Sequence, residues 1–228
     1  MNAPIAARVM VELIGTFFLA LTIQMMALHV PDLSPVAPMA IALVLVALVY
    51  AGGPVSGAAY NPAVLLAFVL AKGFPRRDVA PYLGAQLIGA ALAAGAALLL
   101  RGSAETPIVP PAGMAIFAEG LFTFALVWVI LQVTSPRQKG NGWYGLAIGF
   151  TVGAGAYAVG VDSGAAFNPA VWISLACTGK LAWSTWWLYL IGLKIKDFLN
   201  GIDQSTENHN LSVDINFGND YASVDSFL

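Results

Sequence analysis

The residues best placed to do chemistry in this chain are two asparagines, Asn61 and Asn168. They sit in near-copies of one phrase, SGAAYNPAV at Ser56–Val64 and SGAAFNPAV at Ser163–Val171. Eight of the nine positions agree, and the ninth is Tyr60 against Phe167. An amide side chain offers N–H donors and a carbonyl acceptor, so the chemistry within reach is hydrogen bonding to backbone or to a neutral solute. Bond-making chemistry has little support. The sequence contains no metal cluster, nucleophile–base pair or phosphate loop, and it implies no cofactor. The two copies lie 107 residues apart, and the same offset carries Glu12 onto Glu119, Thr16 onto Thr123 and Phe17 onto Phe124. The repeat therefore covers whole halves of the chain, each a unit that needs the other.

Each phrase reads as a helix start. Asn61 and Asn168 are good N-caps, and Pro62 and Pro169 suit the first helical position, where a missing N–H costs nothing. Ser-Gly-Ala-Ala before each cap is small and non-helical, which leaves backbone carbonyls free. The apolar runs that follow, Ala63–Ala71 and Ala170–Cys177, are short. At 1.5 Å per residue they reach roughly 15 Å, about half of a bilayer core. They are expected to be half-helices that begin near the midplane of a membrane. Backbone without regular structure is tolerated at that depth only where protein buries it or a wet cavity solvates it. Two such interrupted segments in matching places of two repeats point to a transport site.

The composition agrees with a membrane protein. Of 228 residues, 59% are hydrophobic and 10% charged, and the mean hydropathy is +0.78. A net charge of −2 offers no electrostatic case for nucleic acid. Cys177 is the one cysteine, so no internal disulfide can form, and it is expected to be inert packing. Five spans are expected near Val9–Val30, Pro35–Ala51, Val79–Leu100, Met114–Val133 and Trp143–Val161, the second stopping at Gly52-Gly53-Pro54. With three spans and a half-helix in the first half, the second copy enters from the opposite side. The repeats are then inverted and the two half-helices meet cap to cap. Arg8, Lys72, Arg76, Arg77, Arg137 and Lys139 fall on one side, against Arg101 and Lys180 on the other, which puts the N-terminus in the cytoplasm. The small residues Gly84, Ala85, Gly89, Ala90, Ala93, Ala94, Gly95, Gly145, Gly149, Gly153 and Gly155 are expected to let helices approach closely.

Both Asn-Pro-Ala boxes, the Ser-Gly before each, Glu12-Leu-Ile-Gly-Thr-Phe17, Glu119-Gly-Leu-Phe-Thr-Phe124, Gln86 and Gly89 resemble the major intrinsic protein family of aquaporins and glycerol facilitators. The likeness runs from about residue 8 to Gly192. It implies an all-α membrane protein with an aquaporin-like inverted repeat, each half holding three transmembrane helices and a re-entrant half-helix. It also implies a passive channel for water or small uncharged solutes such as glycerol, a homotetramer in the plasma membrane. At the centre, Asn61 and Asn168 would donate side-chain N–H groups, beside Ala63 and Ala170 of the same boxes. The carbonyls of Gly57, Ala58, Ala59 and Tyr60, and of Gly164, Ala165, Ala166 and Phe167, would accept. The positive N-terminal ends of two half-helices repel protons and cations.

Glu12 and Glu119 lie inside spans, where an unpaired charge costs at least ~2.5–3.5 kcal/mol. They are expected to face inward and brace the two loops by accepting N–H bonds; a proton relay is the alternative, but no His or Asp stands nearby to continue it. Carried over from the family, the narrow filter falls on Ile41, Ala156, Ala165 and Val171. The family usually has arginine at the last of these. None of the four can donate a side-chain hydrogen bond, so the ring is expected to be wider and greasier than a strict water filter.

The repeat breaks near the end. Tyr82-Leu-Gly-Ala-Gln86 continues as a long apolar helix, but its partner stretch reaches Lys196 and Asp197 where Gly and Ala are called for. Only Leu181–Leu193 is apolar, too short to span with ease. Residues 1–192 are expected to form the channel domain, in repeats of about 8–100 and 112–192. The acidic stretch 193–228 reads as a disordered or foreign tail. Besides a passive channel, the sequence leaves open a coupled secondary transporter and a non-conducting member of the family.

Overall fold

A computed structural model describes residues 3–27, 36–71 and 73–191. It is all-helical, and among the described residues the only bridge between extended segments is one isolated pair, Ile108 with Leu181. The elements are α1 (Ile5–Ala27), α2 (Ala37–Ser56), α3 (Pro62–Leu70), α4 (Val79–Arg101), α5 (Ala112–Val133), α6 (Tyr144–Ser163), α7 (Pro169–Cys177) and α8 (Trp186–Ile191). Among the described residues five helices, α1, α2, α4, α5 and α6, are long and apolar enough to cross a membrane. At 23 residues, α1 is about 35 Å long, against ~30 Å of hydrocarbon. The 107-residue spacing holds in three dimensions: α6 and α7 start and end 107 residues after α2 and α3, to the residue. The expected tail, 193–228, lies outside the described residues.

Two local expectations are corrected. Helix α2 does not stop at Gly52-Gly53-Pro54 but runs through to Ser56, where Gly57 closes it in a left-handed conformation with its N–H on the Gly53 carbonyl. Pro54 costs only the one bond its absent N–H would have made, close to an end that is being terminated anyway. Arg8 is not a free loop cation. It lies inside α1, buried, with its guanidinium 2.8 Å from Asp78 at the entrance of α4, so the charge is neutralised locally.

Helices α1 and α4 pack on each other, as do α2 and α6, and glycine sets how closely. A Cβ added at Gly89 of α4 would stand 2.6 Å from the Leu13 carbonyl oxygen of α1. One at Gly149 of α6 would stand 2.6 Å from the Ala42 carbonyl of α2. Gly145, Gly153 and Gly155 also face close neighbours, whereas Gly84 and Gly95 have nothing within 4 Å and do not serve the packing. Cys177, expected in the packing, is exposed. Many outward side chains are large and apolar, including Leu99, Phe117 and Val161, a surface suited to lipid rather than water.

Gly89→Leu should lower the melting temperature of the purified protein in detergent, because a backbone carbonyl cannot yield and overpacking costs about 1–3 kcal/mol or more. Gly84→Leu, at an open position, should leave it nearly unchanged. Equal effects would refute the close-approach reading.

Candidate functional site: two opposed Asn-Pro-Ala boxes around a narrow cavity

The loops before α3 and α7 adopt a backbone that their residue types do not favour. Gly57 and Gly164 have φ of 87° and 85°, as glycine permits, but Ala58, Tyr60, Ala165 and Phe167 also take positive φ, between 45° and 48°. Non-glycine residues seldom do so, and each costs on the order of 1–3 kcal/mol unless the surroundings enforce it. The enforcement is visible. In the first loop the Ala58 N–H donates to Ser56 Oγ at 3.0 Å. The Ala59 and Tyr60 N–H groups donate to the Glu12 carboxylate at 3.0 and 2.8 Å, and Ser56 Oγ donates to it at 2.7 Å. In the second loop Ala165 donates to Ser163 Oγ at 3.0 Å, and Ala166, Phe167 and Ser163 donate to Glu119 at 3.1, 2.6 and 2.7 Å. Tyr82 of α4 and Tyr189 of α8 donate their hydroxyls to the Ser56 and Ser163 carbonyls.

Beyond the loops the backbone returns to extended at Asn61 (φ −155°) and Asn168 (φ −156°), and each side chain caps its helix. Asn61 Oδ1 accepts from the Ala63 N–H at 2.8 Å, and Asn168 Oδ1 from the Ala170 N–H at 2.9 Å. The other end of each amide crosses to the opposite repeat. Asn61 Nδ2 donates to the Phe167 carbonyl at 2.8 Å, and Asn168 Nδ2 to the Tyr60 carbonyl at 2.9 Å. The two half-helices therefore face each other by their N-termini and hold each other reciprocally.

A cavity runs along this junction. Its volume is about 30 Å³, and since a water needs ~10–15 Å³, it has room for two or three. Its lining comes largely in pairs at the 107 offset: Leu19 with Leu126, Ile23 with Ile130, Leu45 with Val152, Ala59 with Ala166, Asn61 with Asn168, Val64 with Val171. Ala58, Phe167 and Ile148 complete it. The wall is apolar apart from the two asparagines and loop backbone.

Of the residues expected at the pore, Asn61, Asn168, Ala58, Ala59, Ala166, Phe167 and Val171 line the cavity. Gly57, Tyr60, Gly164, Ala63 and Ala170 do not. Ala63 and Ala170 are buried and their N–H groups are spent on the caps, while the Tyr60 ring points away into space left by Gly15 and Gly52. Ile41, Ala156 and Ala165 also fall outside the lining. The cavity ends one helical turn short of the first two, at Leu45 and Val152. The paired leucines, isoleucines and valines and the two tyrosines were missed from sequence, although the 107 offset points to every one of these pairs.

Removing a brace strands buried N–H groups at ~1–3 kcal/mol each. Glu119→Ala should therefore lower thermal stability more than Glu119→Gln, which keeps one accepting oxygen. Wild-type melting of both variants in detergent would show that the carboxylate holds nothing.

Comparison with known proteins agrees with this geometry. The family model for Major intrinsic protein matches residues 29–201. The chain is 34% identical to Aquaporin NIP1-1 of Oryza sativa subsp. japonica over 84% of this chain and 70% of that one. It is 36% identical to Probable aquaporin AqpM of Archaeoglobus fulgidus over 68% of each. Its fold matches the X-ray structure of the aquaglyceroporin from Plasmodium falciparum with TM-score 0.71 at 21% identity, covering 86% of this chain and 93% of that one. With its paired boxes and apolar helices, the chain belongs to the major intrinsic protein family of multi-pass membrane channels, which are not enzymes.

Proposed function

We propose that the protein is a passive channel through which water and small uncharged solutes such as glycerol cross the bilayer. The observation that carries the reading is the reciprocal pair of asparagine bonds across two facing helix N-termini, set in an otherwise apolar cavity. Each Asn Nδ2 carries two hydrogens, and one of them is engaged by the opposite loop. The second is available to a passing oxygen, so a solute meets donors midway along a wall that offers little else. A molecule that makes few bonds is neither trapped nor stripped of all its partners at once. Two facing positive helix ends disfavour a proton or metal cation at the same point.

Selectivity is assigned to Ile41, Ala156, Ala165 and Val171, of which Val171 lines the central cavity and the other three lie outside its lining. The side chain at 171 is apolar and 1% exposed, so no fixed cation narrows that mouth and cation exclusion falls mainly on the helix ends. The cytoplasmic side is assigned to the N-terminus, on the strength of exposed Arg76, Arg77, Arg137 and Lys139. A plasma-membrane homotetramer completes the reading, by family likeness.

Stopped-flow light scattering on proteoliposomes should show fast osmotic responses to water and glycerol, at low activation energy and without an ion gradient. A requirement for sodium or a proton gradient would favour a coupled transporter. Val171→Arg should reduce glycerol flux by about tenfold or more while changing water much less, because a guanidinium narrows the mouth and adds donors there. Equal loss of both would defeat the filter assignment.

A further inference from the structure

The two halves match so closely that a departure from the match is informative. Helices α3 and α7 have the same length and the same cap, yet they are held differently. Beside α7 three polar side chains meet with no exposure to solvent: Gln24 of α1, Ser174 of α7, and Thr178, which closes its C-terminus. Gln24 Nε2 donates to Ser174 Oγ at 3.0 Å. Thr178 Oγ1 donates to Gln24 Oε1, also at 3.0 Å. Both ends of one amide are thereby used. At the 107 offset the equivalent positions are Leu131, Ala67 and Ala71, which have no side-chain hydrogen bond to give. The clamp belongs to one half-helix only.

Its members adjoin the cavity wall. Ile23, which precedes Gln24, and Val171, almost one turn before Ser174, both line the cavity. Apolar contact of the kind used in the other half would suffice to hold the two helices together. Burying three polar groups costs free energy unless all are paired. What pairing adds is direction, since hydrogen bonds fix the rotation of a short helix about its axis and its sliding along a neighbour. Either movement would displace Val171.

We propose that Gln24 is a positioning residue which, through Ser174 and Thr178, sets the aperture at Val171 and hence the ratio in which larger neutral solutes and water pass. The proposal rests on the channel reading above. Its test compares Gln24→Leu, Ser174→Ala and Thr178→Ala, singly and together, with the parent in proteoliposomes; the triple variant reproduces the apolar set of the other half. Water permeability should stay within about twofold, while the glycerol-to-water ratio shifts by about fivefold, the equivalent of roughly one hydrogen bond. Ser174→Thr, which keeps a hydroxyl, should restore the parent ratio. An unchanged ratio across the set overturns the proposal. Ser174→Ala and Thr178→Ala each remove one bond to Gln24 without adding bulk, so the test survives if Gln24→Leu fails to fold. A second readout does not need conduction. With Cys177→Ser as background, a thiol introduced by Val171→Cys should react with a membrane-impermeant thiosulfonate at a rate altered about fivefold by loss of the clamp. An unaltered rate also overturns it. A parent impermeable to both solutes defeats the channel reading alone, and the labelling rate then decides the clamp.

Discussion

Two strained loops gripped by buried carboxylates are the constraint on which the rest of this structure depends. Without Glu12 and Glu119, the positive-φ residues at Ala58, Tyr60, Ala165 and Phe167 would have no reason to persist. Their N–H groups would be buried unpaired, at a cost large against the net stability of any domain. The carboxylate solves both problems, because two oxygens accept several converging donors at once. It also explains why three long elements must converge on the loop of the first half. Helix α1 brings the acid, the end of α2 brings Ser56, and α4 brings Tyr82 and Gln86, whose amide reaches Glu12 at 2.9 Å.

Only when both loops are held can the asparagines find each other. Each is a local cap and a cross-repeat bond at once, so the closure of one half-helix and the docking of two are the same event. The paired lining follows from that symmetry. A two-fold relation places matching side chains on opposite walls, so Leu19 faces the environment of Leu126 and Val64 that of Val171. A cavity lined by such pairs is apolar except where the symmetry axis brings the amides. Donors are thus concentrated at the point where the dipoles of both half-helices converge.

Much of this was legible in the residues. The boxes, the caps, the half-helices and the bracing acids all follow from types and spacing that local chemistry reads directly. The positive φ at Ala58 and Tyr60 did not, because neither residue favours it and the cause, Glu12, lies more than forty residues away in sequence. The end of α2 was misjudged because Gly52-Gly53-Pro54 is a breaker in isolation. Here Gly52 is kept for the Tyr60 hydroxyl, whose oxygen an added Cβ would meet at 1.7 Å. Arg8 was read as a loop charge because its partner, Asp78, belongs to the far end of the same half. Tertiary contacts overrode a local preference each time.

The departure of the second half from the first bears on which residues its site requires. Gly89 is required in α4 because a Cβ there would stand 2.6 Å from the Leu13 carbonyl oxygen; in the sequence, the offset puts Lys196 at the matching position. Likewise Leu193 takes the place of Gln86. Glu12 has four donors, Ser56, Ala59, Tyr60 and Gln86, whereas Glu119 among the described residues has three, Ser163, Ala166 and Phe167. Both backbone N–H bonds and the serine bond are nevertheless kept. Tyr189 reaches the Ser163 carbonyl, and Thr185 accepts the Trp172 indole N–H at 3.1 Å. Among the described residues, the contacts that shape the second loop come from residues up to Tyr189, ahead of the point where the repeat fails. In the sequence, all of these bonds come before the symmetry is lost.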